Sequence, residues 1–439
     1  MKKIIEKIDL KAIIIAFAIS MAYFIFPDKM KSPISLIAIV AGWLYVFYSG
    51  LKKWGLANQL INMMILSVPL SFISIFGQTE SLVFLNWFHI FTILFLVYAF
   101  FDIIKNWKTT RFSILDGSIV LAIIGLAVSF ALNWVRVKPL SITQMLLILF
   151  FLVSVLMCDL LMNSGRHKET FKTDFLLRQL QFVLMGMALC VLIQFVAYKN
   201  GVVIGRVENY ANFRLALGFI NFDFSFLSLL LLVNIFYPIQ TIIQNKRLDI
   251  ISVISIGLAL LSSTLTSART GLMTFVIVLS MMTVLYVFVF NKLSLSIMKR
   301  ILVFVLLAAV SGAILYFMYK KRGFGSSGRT EINRDALAAF RNRPIGGNGL
   351  NWISRHGVMP HNFFTQYLAQ TGVVFIVPIT VALTLVINKI RQSNIVIFAN
   401  SLICIVGSMF IPDILNSRFF LLIVILGLVA QTVKPKEQL

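Results

Sequence analysis

The chain has 439 residues, of which 59% are hydrophobic and 13% charged, about half the charge of an average soluble domain. A net charge of +23 would suggest nucleic acid in a soluble protein. In a chain this apolar it reads as the charge bias of membrane loops, and no nucleic-acid partner is expected.

Apolar runs of about 17–25 residues recur from end to end, enough to cross roughly 30 Å of hydrocarbon. With no water there to satisfy the backbone, such runs must be helices. The expected fold is therefore an all-α polytopic integral membrane protein of about 12–14 transmembrane helices, one transmembrane domain over residues 1–439. Fourteen spans are predicted, at 9–26, 33–50, 58–76, 82–104, 114–133, 143–162, 179–197, 213–236, 248–265, 270–290, 301–319, 362–388, 395–411 and 417–433. The first has a basic head but no small-residue cleavage site, so it is expected to be retained. Cys158, Cys190 and Cys404 all fall inside apolar runs, without metal-type spacing, and read as packing residues.

With the N-terminus placed in the cytoplasm, 22 of the 39 lysines and arginines fall on inner ends and loops. Eight of the other 17 lie in one segment, 320–361, between two spans. Setting that segment aside leaves 22 against nine, a positive-inside pattern with both termini cytoplasmic. The basic segment is then extracytoplasmic, against the topological preference, and its arginines need another reason to be there.

Three stretches on that side could carry chemistry. In the first, Gly205–Asp223, Arg206 and Arg214 stand near the outer end of span 213–236, and Asp223 is placed up to two or three turns inside it. A carboxylate at that depth costs several kcal/mol unless paired or hydrated, so it is a functional candidate; the plainer alternative is an ion pair locking helices. In the second, Ser262–Phe275, Arg269 opens a helix. A cation there opposes the macrodipole, which makes sense if an anion binds at the free N–H groups; Thr266, Ser267 and Thr270 add donors or a cap. The alternative is an anchor snorkelling to headgroups.

The third is the basic segment itself, with a short helix expected over Thr330–Phe340 and His361-Asn362 at the mouth of the next span. Cations such as Arg355 should hold His361 below its ordinary pKa of about 6.5, neutral at pH 7 and able to accept a proton; alternatively it is a polar helix cap. Gln366 and Gly372 read as packing residues. Glu331 and Asp335 sit among eight cations as charge balance. No Asp-x-Asp pair or His/Cys cluster occurs in the outer loops, so no metal or other cofactor is expected. Arginines would then supply the electrostatic stabilisation.

Taken together, these residues resemble the O-antigen ligase and polysaccharide polymerase family of bacterial envelope assembly. The resemblance rests on Ser267-Ala268-Arg269-Thr270-Gly271-Leu272, on Gly328-Arg329 with Phe340, Pro344-Ile345 and Gly347-x-Gly349, and on His361-Asn362 with Gln366 and Gly372. Arg214, Gly218-Phe219 and Asn221 look like an earlier element of the family, and the likeness spans roughly 205–375.

The resemblance implies a GT-C-like membrane glycosyltransferase, metal-independent and inverting. It would take a glycan from an undecaprenyl-diphosphate-linked oligosaccharide at the outer face of the bacterial cytoplasmic membrane. Carried over by position, Arg269 binds the diphosphate and His361 deprotonates the acceptor hydroxyl. Arg214, Arg329, Arg206, Asn362 and Asp223 contribute to phosphate or glycan binding, although Asp223 stands where a neutral amide is expected. Polymerisation of repeat units is the first expectation, with ligation to lipid A core or another final acceptor second, and a lipid-linked oligosaccharide flippase as the reading from another class. Expected partners are the lipid-linked donor, a glycan or lipid acceptor and membrane lipid, with a chain-length regulator and a flippase beyond them.

Overall fold

The computed structural model describes residues 8–26, 29–77, 85–164, 171–210, 214–218, 223–245, 249–285, 287, 296–322, 328–352 and 356–430. It is 79% helical. Among the described residues, eight helices are long and apolar enough to cross a membrane and six shorter ones are similarly apolar. These fourteen answer one for one to the fourteen predicted runs, and the chain is an all-α polytopic membrane protein.

In chain order the helices are α1 (Leu10–Ile25), α2 (Pro33–Trp54), α3 (Leu56–Leu66), α4 (Trp87–Lys105), α5 (Ile114–Leu132), α6 (Pro139–Asn163) and α7 (Thr173–Lys199). After an antiparallel hairpin, β1 (Arg206–Tyr210) and β2 (Arg214–Gly218), come α8 (Phe224–Leu232), α9 (Phe236–Asn245), α10 (Ile250–Leu265), α11 (Arg269–Val284) and α12 (Ile297–Arg322). The chain closes with α13 (Arg329–Asn342), α14 (Phe363–Thr371), α15 (Val373–Ser393), α16 (Ile395–Gly407) and α17 (Arg418–Val429).

Several helix starts are marked by polar caps, where the apolar runs themselves have no sharp edges. Ser32 accepts from the Ser35 N–H ahead of α2, Asn86 from His89 ahead of α4, and Ser113 from Asp116 ahead of α5. Each such cap satisfies a donor that the first turn leaves open.

Two predicted spans come out differently. Span 213–236 is not helical at its start: paired strands occupy 206–210 and 214–218, and the helix α8 opens at Phe224 with Asp223 as its cap. The 362–388 span divides at Gly372 into α14 and α15. A further break separates α8 from α9, and buried Asn234 fills it. Its Nδ2 donates to the Leu177 carbonyl at 2.9 Å, and its Oδ1 accepts from Asn400 Nδ2 at 2.8 Å. Interrupted helices survive in a membrane when neighbouring side chains take up the polar groups in this way.

The bundle is held by α15 along α5, α8 along α11 and α17 along α6. A buried ion pair ties three helix ends together. Lys389 Nζ on α15 donates to both oxygens of Asp159 on α6 at 2.7 Å, and Ser113 ahead of α5 donates to the same carboxylate at 2.8 Å.

Candidate functional site

The hairpin and the start of α8 build one wall. Arg206 Nε donates to Glu208 at 2.7 Å, and the guanidinium lies over the Phe224 ring at 4.9 Å. Phe224 in turn packs with Ala216 of β2 and Ala268. Asp223 caps α8: its Oδ1 accepts from Ser225 N at 2.7 Å and Phe226 N at 3.0 Å. Its expected depth of two or three turns is therefore wrong, because an aspartate ahead of an apolar run starts the helix instead of riding inside it. Arg214 pairs through its backbone with Tyr210; its side chain, like Asn221 and Phe219, lies outside the described residues.

The second wall is the turn between α10 and α11. Ser267 sits in the left-handed region at φ 57°, and Arg269 is the first residue of α11, as expected. The hydroxyls do not cap that helix. Thr266 donates to the Ser263 carbonyl at 2.8 Å and accepts from Ala268 N at 3.3 Å, serving the turn itself. The third N–H of α11, from Gly271, instead donates to Ser228 Oγ of α8 at 3.2 Å. A Cβ at Gly271 would lie 2.3 Å from the Ser228 carbonyl oxygen, so only glycine lets α8 and α11 approach this closely. Contact between Ala268 and Phe224 then brings the positive ends of both helices together beside Arg206.

The third wall comes from the basic segment. Its central helix, α13, lies against α14. Ala336 packs with Trp352, Met359 and Ala369, and Thr365 Oγ1 donates to Asn333 at 3.1 Å. Glu331 and Asp335 are exposed on α13, away from this contact. The turn after α13 is stitched to the α14–α15 joint: Val373 N donates to the Pro344 carbonyl at 2.9 Å, Asn348 N to Ala369 and Gly349 N to Gln370, both at 2.8 Å. Gly372 has φ 67°, and a Cβ there would lie 2.1 Å from the Ile345 carbonyl oxygen. The proline and glycines of this motif thus have a packing reason.

His361 lines one cavity with Asp223 of the first wall and lies beside Arg329 of the third. It is half-buried, and its Nδ1 is buried with no hydrogen-bond partner among the described residues. Burial lowers its pKa to about 4, the Arg329 cation beside it works in the same direction, and Asp223 opposes them. The predicted direction is right, but the cation is Arg329; Arg355 lies outside the described residues. Asn362 is the N-cap of α14, accepting from Phe364 N at 3.0 Å and Thr365 N at 3.2 Å, and its Nδ2 meets Met409 Sδ at 3.4 Å. The helix therefore opens at Phe363, one residue later than Asn362 had been expected to lie within it.

His361 and Asp223 line a cavity of about 270 Å³ together with Gln144, Asp413, Asn416 and Arg418. Asp413 is the residue the sequence reading missed. It has φ 54°, accepts from Gln144 Nε2 at 2.7 Å and from Gln366 Nε2, and donates its own N–H to Gln366 Oε1 at 2.8 Å. Burial raises its carboxyl pKa to about 6 against the pull of the two amides. Gln366, read as a packing residue, is buried and spent on this contact. The available signal was an acid in a short gap between apolar runs, in a chain with only 16 acids. A larger crevice of about 680 Å³ opens between α2, α3 and α4, but its walls are almost wholly apolar and it lies apart from His361. Among the described residues, no three His, Cys, Asp or Glu side chains form a metal-holding group.

Residues 254–380 match the family model described as O-Antigen ligase. No curated protein matches the chain. The match bears out the resemblance and supports a membrane glycosyltransferase activity of the O-antigen ligase/polymerase type. With the apolar helices it indicates a multi-pass protein of the bacterial inner membrane. Arg269, Arg329, His361 and Asn362 fall within the matched segment; Arg206, Arg214, Asp223 and Asp413 fall outside it.

Proposed function

We propose that this protein polymerises polysaccharide repeat units at the outer face of the membrane, taking each growing glycan from an undecaprenyl-diphosphate carrier. The observation that carries the proposal is His361: an imidazole whose Nδ1 has no hydrogen-bond partner among the described residues, lining a cavity with Asp223 and beside Arg329, and whose lowered pKa favours the neutral form.

In the reaction, the acceptor hydroxyl oxygen attacks the anomeric carbon of the donor sugar. A glycosidic C–O bond forms as the bond from that carbon to the diphosphate oxygen breaks, inverting the centre. The hydroxyl proton passes to His361, and the electron pair leaves with the lipid diphosphate. Arg269 and Arg329, with Arg214 and Arg206, offset the charge that develops on the leaving group. Asn362 fixes the start of α14 behind His361. Asp223 limits the accumulated positive charge, so that a diphosphate is held without being trapped. This reading places both termini in the cytoplasm and 320–361 outside.

The purified protein, given lipid-linked repeat units, is expected to build a ladder of lengths without another protein. His361→Ala and Arg269→Ala should abolish the ladder while the protein still elutes as a folded species; full activity in either would sink the role of that residue. A single glycan passed to a separate acceptor, with no ladder, would make the protein a ligase. Glycan crossing the bilayer without bond formation would make it a flippase.

A further inference from the structure

Three consecutive residues at the start of α17, outside the matched segment, are built in a way that helix packing does not explain. Asn416 is 7% exposed, and both its Oδ1 and its Nδ2 lack a hydrogen-bond partner among the described residues. Ser417 Oγ is likewise buried and unpartnered. Arg418, 3% exposed, holds its guanidinium over the Phe72 ring at 5.3 Å. Buried polar groups are nearly always satisfied, so adjacent orphans call for a missing partner.

Asn416 and Arg418 both line the cavity that contains His361, and so do Phe72 and Phe226, whose rings meet edge to face at 6.1 Å. A planar amide, a guanidinium and aromatic faces around one small chamber suit a pyranose. Its neighbouring hydroxyls match planar donor and acceptor groups, and its C–H face packs on aromatic rings. A cavity of about 270 Å³ is smaller than the usual drug-sized site and leaves room for about one sugar ring.

We infer that this chamber is the subsite for the acceptor sugar, the one whose hydroxyl faces His361, and that Asn416 is its specificity-determining contact. The inference rests on the proposed glycosyl transfer, since that reading makes His361 the base acting on the acceptor. Asn416 hydrogen-bonds the ring through its amide, and the phenylalanines exclude water from the opposite face.

Binding can be measured without turnover. The full-length protein in lipid nanodiscs would be examined by saturation-transfer NMR against methyl glycosides of glucose, galactose, mannose, rhamnose, N-acetylglucosamine and N-acetylgalactosamine. At least one glycoside should bind. Its affinity should fall by about tenfold in Asn416→Ala, the most that losing one net hydrogen bond gives, with partial recovery in Asn416→Asp. No binding by any glycoside, or equal binding by wild type and Asn416→Ala, overturns the subsite. If Asn416→Ala does not fold, Phe72→Leu carries the same comparison. Sugar binding lost in Asn416→Ala in a protein that makes no glycosidic bond keeps the subsite and sinks the transferase reading. Glycan transfer with unchanged acceptor KM in Asn416→Ala does the reverse.

Discussion

Gln366 and Asp413 hold each other by two hydrogen bonds running in opposite directions. Gln366 Nε2 donates to the Asp413 carboxylate, and Gln366 Oε1 accepts from the Asp413 N–H at 2.8 Å. One residue lies on α14, five positions past His361, and the other on the loop ahead of α17. The pair makes the two sides of the cavity one body, so His361 keeps its place relative to the loop that closes the chamber.

Asp413 is held in a left-handed backbone conformation, φ 54°, which asparagine and aspartate tolerate and alanine pays for by about 1–2 kcal/mol. Asp413→Asn should therefore fold close to wild type. Asp413→Ala should be less stable by about 2–4 kcal/mol once the orphaned amides of Gln366 and Gln144 are included. Thermal unfolding of the two variants in one detergent tests this; equal midpoints would mean that the contact carries no strain.

The pH dependence of kcat/KM reports groups in the free enzyme. His361 must be neutral to accept a proton, and its pKa is lowered to about 4, so its acid limb lies near pH 4 and the rate is flat above it. If ionised Asp413 is also needed, a second limb appears near pH 6. Asp413→Asn should remove only the upper limb. Arg329→Ala takes away a cation that lowers the His361 pKa, so it should move the lower limb to higher pH. A profile that Arg329→Ala leaves in place would separate the two residues.

Gly372→Ala should be among the most damaging single changes at this site. The backbone there has φ 67°, and the new Cβ would meet the Ile345 carbonyl oxygen at 2.1 Å. Relief requires parting the 344–349 turn from the α14–α15 joint, breaking hydrogen bonds worth about 0.5–1.5 kcal/mol each. Limited proteolysis should show new cleavage between α13 and α14. Protection equal to wild type would count against the interlock.

Lys389→Met leaves the fully buried Asp159 without its cation, at a cost of about 3–5 kcal/mol, toward the low end because the Lys389 side chain is 26% exposed. Adding Asp159→Asn should recover much of that loss, since a neutral pair has no desolvated charge to satisfy. A double-mutant cycle of unfolding free energies checks the sign of the coupling. Loss of glycan transfer is not expected, because the pair lies at the helix ends opposite His361 in the proposed topology.

Of the residues singled out in advance, the structure brings His361, Asp223 and Arg329 together, and their place in the chain shows why they could be picked out. Arg269, Arg329 and His361 are polar interruptions of a chain that is otherwise apolar, and each such interruption must have a reason. Asp223 shows the limit. In a string of letters it lies inside an apolar run, but hairpin pairing of 206–210 with 214–218 moves the helix start to Phe224. Long-range pairing decided that, and periodicity does not report it. Gln366 and Gly372 were read as packing residues because nothing in their neighbourhoods names a partner 47 positions on, or a turn 25 positions back.

What the sequence determined by itself was the solvent of the protein and the number of its apolar spans. Apolar run length is fixed by bilayer thickness, and backbone hydrogen bonding in lipid allows a single outcome. Only the tertiary structure decided which polar residues share a chamber: His361 with Asp223 from more than a hundred residues upstream, and with Asp413, Asn416 and Arg418 at the entry to α17, beyond three further helices. Those contacts depend on how helices cross and on which glycines let them approach. They are set by side-chain volume in three dimensions, to which hydropathy along the chain is blind.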